Sequence, residues 1–480
     1  MDGIADQTTG WMDAARRGEM FDRRIFLAKS LATAAFFHFR ATPRSFDVHD
    51  FGATGDGVSL DTLAIQRAID AAAMTGGAAQ VLLRGGRKYL VGSLQLKSNI
   101  DFHLADDATL VACPDPSAYK GDGSGLLMAD GAVGLKITGS GSIDGQAMKF
   151  VGAYSKTDER WEPLAFRPRM FSLRACKDLE VTGISFGHSP NWGLHLLGCE
   201  RVLVDRVTIR NYMDVPNCDG IDPDHCRDVE IRNCDIVSAD DAIVIKTSEQ
   251  TIDYGPSRNI VVKDCRVTSR DAGLKIGTET FQDISKIRFE RCVVVNGGRG
   301  PTITHRQPGN IWDIEFNDIQ VTAEHHAARW WGSGEAINIS VRPRVAGGKV
   351  GTLRDVRLRN IRGRAENSVR IDGSPDNLIQ DVLLEDIDIT IDKWTAYPGG
   401  RFDNRPTAPG VEGLEPHDTP VYSLRNAERV LVKDCHARWG NNRQSYFGPA
   451  LEAENVKDLK IEHFDGIASD PARDKALVIS

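Results

Sequence analysis

The sequence predicts an all-β fold: a single-stranded parallel β-helix, closed at its N-terminal end by one short helix. Three observations predict it. First, from residue 178 onward a polar residue is followed by apolar residues one, three and six positions later, and the unit recurs. It opens at Asp178, Arg201, Asp228, Asn259, Lys286, Asp313, Asp355, Asp381, Arg429 and Asp458. The sixth position is Ile184, Val207, Cys234, Cys265, Cys292, Ile319, Ile361, Ile387, Cys435 and Phe464, apolar every time. Alternation of this kind is half-buried strand. Second, most openings lie about 23 to 31 residues apart, with Asn, Asp and Gly at the corners, which is the signature of stacked coils. Third, no helical periodicity separates one strand from the next, so the coils are β throughout.

Taken from the N-terminus, "FDRRIFLAKSLATAAFFHF" sets Arg23 and Arg24 ahead of an apolar stretch too short to span a bilayer. Residues 1–42 therefore read as a twin-arginine-like export signal, and the chain as periplasmic or secreted. Then "FDVHDFGATGDG" supplies a glycine-rich turn lacking the lysine of a phosphate loop. Asp61 or Thr62 is the expected cap of a helix that carries Ile65, Ala68, Ile69 and Ala72 on one face and ends at Gly76. That helix would cover the first coil, because a solenoid's terminal coil cannot bury its own apolar face. Residues 46–480 are expected to form the catalytic β-helix, with two long loops at about 321–352 and 391–425.

Composition narrows the function. The net charge is −8 and no basic block is present, which makes the chain a poor partner for nucleic acid or an anionic membrane. Past residue 42 nothing is apolar enough to be a membrane span. Nine cysteines are an odd number, spaced unlike a disulfide-stapled domain. Four of them share one repeat position, so they are expected to be packed as small hydrophobes.

The chemistry is expected at three aspartates. Asp240 and Asp241, in "SADDAIVIKTS", follow Asp219, in "PNCDGIDPD", by close to one coil. Residues one coil apart stack at about 4.7–4.9 Å, so three carboxylates would share one patch. Like charges raise one another's pKa. Hydrolysis of a glycosidic bond needs that: one carboxyl protonated for the leaving oxygen, others ionised to activate water. The same residues leave a calcium site open as a second reading, with Asp222 and Asp224 adding oxygens.

"NCDGID", "ADDAIVIK", "SPNWGLHLLGC", "RPRMFSL" and the N-terminal "DFGATGDG" together resemble the polygalacturonase family, family 28 of the glycoside hydrolases. The similarity runs from about Phe46 through at least the middle of the chain. It implies a right-handed β-helix that hydrolyses pectic chains with inversion and without metal or organic cofactor. Asp240 would be the general acid, and Asp219 with Asp241 would position and activate the water. Two departures stand out. "DAGLKIGTET" has Ala272 where the family has a histidine, and Thr302-Ile303-Thr304 replaces its Arg-Ile-Lys motif. Losing those cations removes the charge-assisted bonds that recognise a uronate. Lys275, Arg299, His305 and Arg306 are candidates to replace them, unless the bound sugar is neutral.

Further substrate-binding candidates are His195 and Lys246, which match family positions, Glu279 after the third motif, and Glu335. Trp330 and Trp331 would form a wall on which a sugar ring stacks. Two loops closing the groove favour exo-acting cleavage. The expectation is an exported, monomeric, inverting glycoside hydrolase acting on pectin-like polysaccharide or oligosaccharide. A lyase or epimerase on the same scaffold, and a non-catalytic carbohydrate-binding solenoid, are the alternatives.

Overall fold

The computed structural model describes residues 44–120, 125–410 and 413–480. The export-signal reading of residues 1–42 lies outside them. Arg44–Ser480 is one compact unit, a right-handed parallel β-helix whose coils contribute strands to three parallel ladders.

The second and third ladders carry the repeat seen in the sequence. Val229 pairs with Val202 one coil below and with Ile260 one coil above. Apolar pairs such as Val229/Ile231 and Ile314/Phe316 point inward and are buried. Phe289 and Phe316, one coil apart, stack with ring centroids 4.6 Å apart. The polar opening residue has a backbone reason. All ten are left-handed, with φ between 51° and 57°. A second left-handed residue, Gly183 or a non-glycine such as Asn233, Asp264 or Asp318, always stands just before the sixth position. Asn and Asp tolerate this region better than other non-glycine residues, and two such bends per coil turn the chain from ladder to ladder. The sixth-position cysteines Cys234, Cys265, Cys292 and Cys435 are free and buried, as are the other five.

The first ladder looks different in sequence. Its strands Arg299–His305, Glu335–Val341 and Asn367–Asp372 are buried at every residue, because the core lies on one side and inserted loops cover the other. Alternation is absent there, so the repeat did not display these strands. One consequence is a correction: 321–352 is not one loop. Strand Glu335–Val341 runs through it in register with Arg299–His305, leaving loops 324–334 and 342–352. The segment after Ile391 carries a small hairpin, Arg401–Asp403 with Leu414–Pro416. Another hairpin, Val151–Ser155 with Arg160–Pro163, had no signal in the repeat.

At the N-terminal end, helix Thr62–Ala73 buries Ala64, Ile65, Ala68, Ile69 and Ala72, the expected face with one residue added. Asp61 precedes the helix but does not cap it with its side chain. Its carboxylate instead accepts the N–H groups of Thr54 (2.7 Å) and Gly55 (3.0 Å), pinning the glycine-rich turn. Thr62 Oγ1 likewise faces away from the helix and accepts from the Gly92 N–H. At the other end Leu459, Ile461 and Phe464 are only partly buried.

Candidate active site

On the first ladder, Ile221–Asp224 pairs with Ile243–Thr247, Ile221 opposite Ile243 and Asp224 opposite Lys246. This offset carries Asp219 and Asp241 into adjacency, and the Gly220 N–H donates to the Asp241 carbonyl at 2.9 Å. Asp219, Asp240 and Asp241 each place a carboxylate oxygen within 4.8 Å of the others. They line a cavity of about 430 Å³ together with Trp192, Lys246, Lys275 and Glu279.

Charge in this patch is divided unequally. Lys275 Nζ donates to Asp241 Oδ2 at 2.7 Å. Lys246 Nζ lies 2.8 Å from Asp222 Oδ1 and 3.8 Å from Asp219 Oδ2, and stands 4.0 Å from the centre of the Trp192 ring. No lysine or arginine pairs with Asp240 among the described residues. Among those residues it accepts only the backbone N–H groups of Asn217 (3.2 Å) and Asp241 (3.0 Å). Burial, then the charge of Asp271, raises the Asp240 carboxyl above the ordinary range. Burial and the charges of Asp240 and Asp222 push Asp219 well up. Burial pushes Asp241 up to about 6 against the pull of Lys275. The three carboxyls therefore titrate as a set, each held above its ordinary range. Asp240 is the member without a cation and the most exposed of them, facing the cavity. Two ammonium groups already stand against the cluster, an arrangement that opposes a calcium ion there.

The remaining candidates separate. Lys246, Lys275, Glu279 and Trp331 line the cavity. Burial opposes ionisation of Glu279, but Lys246 and Lys275 outweigh it and hold its pKa down. Trp330 touches the cavity yet is buried, packed on Cys218, Ala239 and Ala327, so of the two tryptophans Trp331 is the one available to a ring. His195, Arg306 and Glu335 do not line this cavity; Arg306 and His195 border two neighbouring ones, which share Glu279 and Trp192 with it. His195 is buried between Arg169 (3.1 Å) and Asp224 (3.2 Å), with both ring nitrogens occupied. Arg306 is buried, donating to the carbonyls of Pro406, Asn404 and Ser340, so it holds the hairpin segment down. Glu335, fully buried, accepts the Ser333 N–H at 2.7 Å and lies 3.7 Å from Arg299. Arg299 and His305 are also internal. Arg299 is ringed by Asp271, Glu335 and Asp403, and His305 bonds the Gly309 carbonyl.

Besides Lys246 and Lys275, four cations that sequence reasoning missed face the cavity: Arg160, Arg329, Arg344 and Arg405. They arrive on separate insertions, the 151–163 hairpin and the loops at 324–334, 342–352 and 392–421. Arg160 Nε is buried without a hydrogen-bond partner among the described residues. Arg405 clasps Asp403 and donates to the carbonyls of Ala328 and Trp330, fastening two insertions together. Tyr397 donates to Glu159, tying in the hairpin. Such loops are visible in sequence as interruptions of the repeat, but which arginine meets which aspartate is set by the coil register.

The profile of the family described as Glycosyl hydrolases family 28 matches residues 80–397. The chain belongs to this family. A probable polygalacturonase of Vitis vinifera is 31% identical over 278 residues, covering 52% of this chain and 55% of that protein. An exopolygalacturonase of Zea mays is 28% identical over 278 residues, covering 51% of this chain and 66% of that one. The chain thus spans about half the length of the first curated relatives it matches. Among solved structures, a hyperthermoactive exopolygalacturonase of Thermotoga maritima superposes with a TM-score of 0.64 at 25% identity, covering 73% of this chain and 88% of that chain.

Proposed function

We propose that the protein is an exo-acting, inverting hydrolase of galacturonate-rich chains. The observation that carries this is the ring of arginines. The family's cationic motif is Thr302-Ile303-Thr304 here, with both threonines buried, yet Arg160, Arg329 and Arg344 reach the carboxylate cavity from the insertions. A neutral sugar gives no reason to gather guanidinium groups, one with an orphaned buried N–H, over an acidic site. A uronate carboxylate would satisfy them.

In the proposed reaction Asp240 donates its proton to the leaving oxygen as the C1–O bond breaks. A water held between Asp219 and Asp241 bonds through its oxygen to C1 and passes a proton to their carboxylates. One water is consumed, and the proton gained by the base balances the one lost by the acid. The nearest carboxylate oxygens, within 4.8 Å, are closer than the roughly 6.5–9.5 Å that separates carboxyl groups in most inverting sites. Product stereochemistry is therefore a sharp test. The joined insertions wall one side of the cavity, which favours attack at a chain end. The Arg23-Arg24 segment supports export, and no described helix is long and apolar enough to cross a membrane.

The test is a panel of oligogalacturonides and matched neutral oligosaccharides, each with and without chelator. Monomer released from oligogalacturonides alone, unaffected by chelator, is the expected result. Cleavage confined to neutral chains refutes the uronate reading. A conjugated, ultraviolet-absorbing product would mark a lyase.

A further inference from the structure

The catalytic carboxylates are steadied from the coil above them. Strand Ala272–Thr280 places Lys275 opposite Val244, and its side chain turns back to Asp241 Oδ2 at 2.7 Å. Lys275 is 3% exposed, and its Nζ also lies 3.9 Å from Asp271 Oδ2. Asp271 is itself anchored: its N–H donates to Ser269 Oγ (3.0 Å), and that hydroxyl donates to the Asp240 carbonyl (2.7 Å). Arg299 flanks it, donating its backbone N–H to the Asp271 carbonyl at 2.7 Å. One turn thus holds the backbone of Asp240 and the ammonium that grips Asp241. The other oxygen of Asp241, Oδ1, is buried without a hydrogen-bond partner among the described residues, and so is Oδ1 of Asp219. Buried carboxylate oxygens are rarely left so, and two on adjacent coils mark a place for a shared polar atom.

We propose that Lys275, steadied by Asp271, is a positioning residue for hydrolysis: it fixes one oxygen of Asp241 so that the other is presented to the attacking water. This rests on the hydrolase reading above. Lys275 does not touch the reacting bond. It acts through Asp241, and Asp271 acts on both Lys275 and Asp240. The charges around Asp241 are Asp219 from the coil below, Asp240 beside it, Lys246 in the strand that follows it, and Asp271, Lys275 and Arg299 from above. Around Asp240 stand Asp219, Asp241, Asp271 and Lys275, with Arg160 and Arg167 at longer range.

Removing the ammonium makes Asp241 harder to ionise, whereas removing Asp271 makes Asp240 easier to ionise. The experiment compares pH–rate profiles of the wild type, Lys275→Met, Lys275→Arg and Asp271→Asn on an oligogalacturonide. Lys275→Met should lower kcat about 100-fold, with KM changed less than about threefold, the pattern of a lost transition-state interaction. Its acidic limb should move up by about one pH unit or more, and Lys275→Arg should leave that limb in place. Asp271→Asn should move the alkaline limb down. Carbon-13 NMR of aspartate-labelled protein reads the Asp241 midpoint without turnover and should show the same upward move in Lys275→Met. An active wild type whose acidic limb and Asp241 midpoint stay put in Lys275→Met overturns the role of Lys275 alone. A wild type that cleaves no glycosidic bond overturns the hydrolase reading. If Lys275→Met does not fold, Lys275→Gln takes its place, and an acidic limb and Asp241 midpoint that stay put in it overturn the proposal.

Discussion

Arg405→Ala should loosen the wall of the cavity without unfolding the solenoid. The Arg405 side chain donates to both oxygens of Asp403, at 2.9 and 2.7 Å, and reaches across to the Ala328 and Trp330 carbonyls, the latter at 2.8 Å. Asp403 keeps partners without it, since the Gly332 N–H lies at 2.6 Å and Arg299 at 3.6 Å. The loss therefore falls on the link between the loops. A hydrogen bond to a charged group is worth about 1.5–3 kcal/mol. Two carbonyl bonds at a site 19% exposed then amount to about 2–4 kcal/mol after allowance for solvent and non-additivity. Against a melting entropy of about 2.1 cal/mol/K per residue, that moves a chain of this size only a few degrees, so thermal melting is a blunt probe. Hydrogen exchange is sharper: amides in 324–334 and around 405 should exchange about 30- to 1000-fold faster. The products should shift from monomer toward longer fragments. Unchanged exchange together with monomer as sole product would refute the clasp.

Three more outcomes can be checked. Burial raises Asp241 and Asp271 from 3.8 to about 6, so between those values the native state binds more protons than the unfolded chain, and stability falls as pH rises from about 4 to about 6. Denaturant midpoints against pH should show a fall of about 1–3 kcal/mol per group at most, flattened in Asp271→Asn. The nine buried cysteines should resist thiol reagents until the protein is unfolded, and label uptake in the native state would contradict the packing of the sixth-position ladder. Replacing Arg160 and Arg329 together by alanine should cut kcat/KM for oligogalacturonides about 10- to 100-fold and spare thermal stability.

The solenoid was legible because its corners and core obey local rules. A polar residue that tolerates a left-handed backbone, followed by inward-pointing apolar residues, is written out at Asp228 or Asp313 with no need of the rest of the chain. The three aspartates were legible because register converts a spacing of 22 residues into adjacency, as the pairing of Ile221 with Ile243 shows. The first ladder was not, because strands such as Glu335–Val341 are covered on both faces and lose their alternation. For the same reason Glu335, in such a strand, and Arg306, just past the end of another, read as groove residues while they bond internally. Arg160, Arg329 and Arg405 were out of reach because their proximity to Asp240 depends on contacts between insertions far apart in the chain.

The central claim is that Asp240 is the acid of an inverting hydrolysis whose water is held by Asp219 and Asp241. Proton NMR of an oligogalacturonide during its first turnovers, with wild type and with Asp240→Asn, tests it most directly. The account predicts a first product of anomeric configuration opposite to the bond cleaved, and a rate about 100- to 10,000-fold lower in Asp240→Asn. A retained configuration, or an Asp240→Asn variant as fast as wild type, would contradict it.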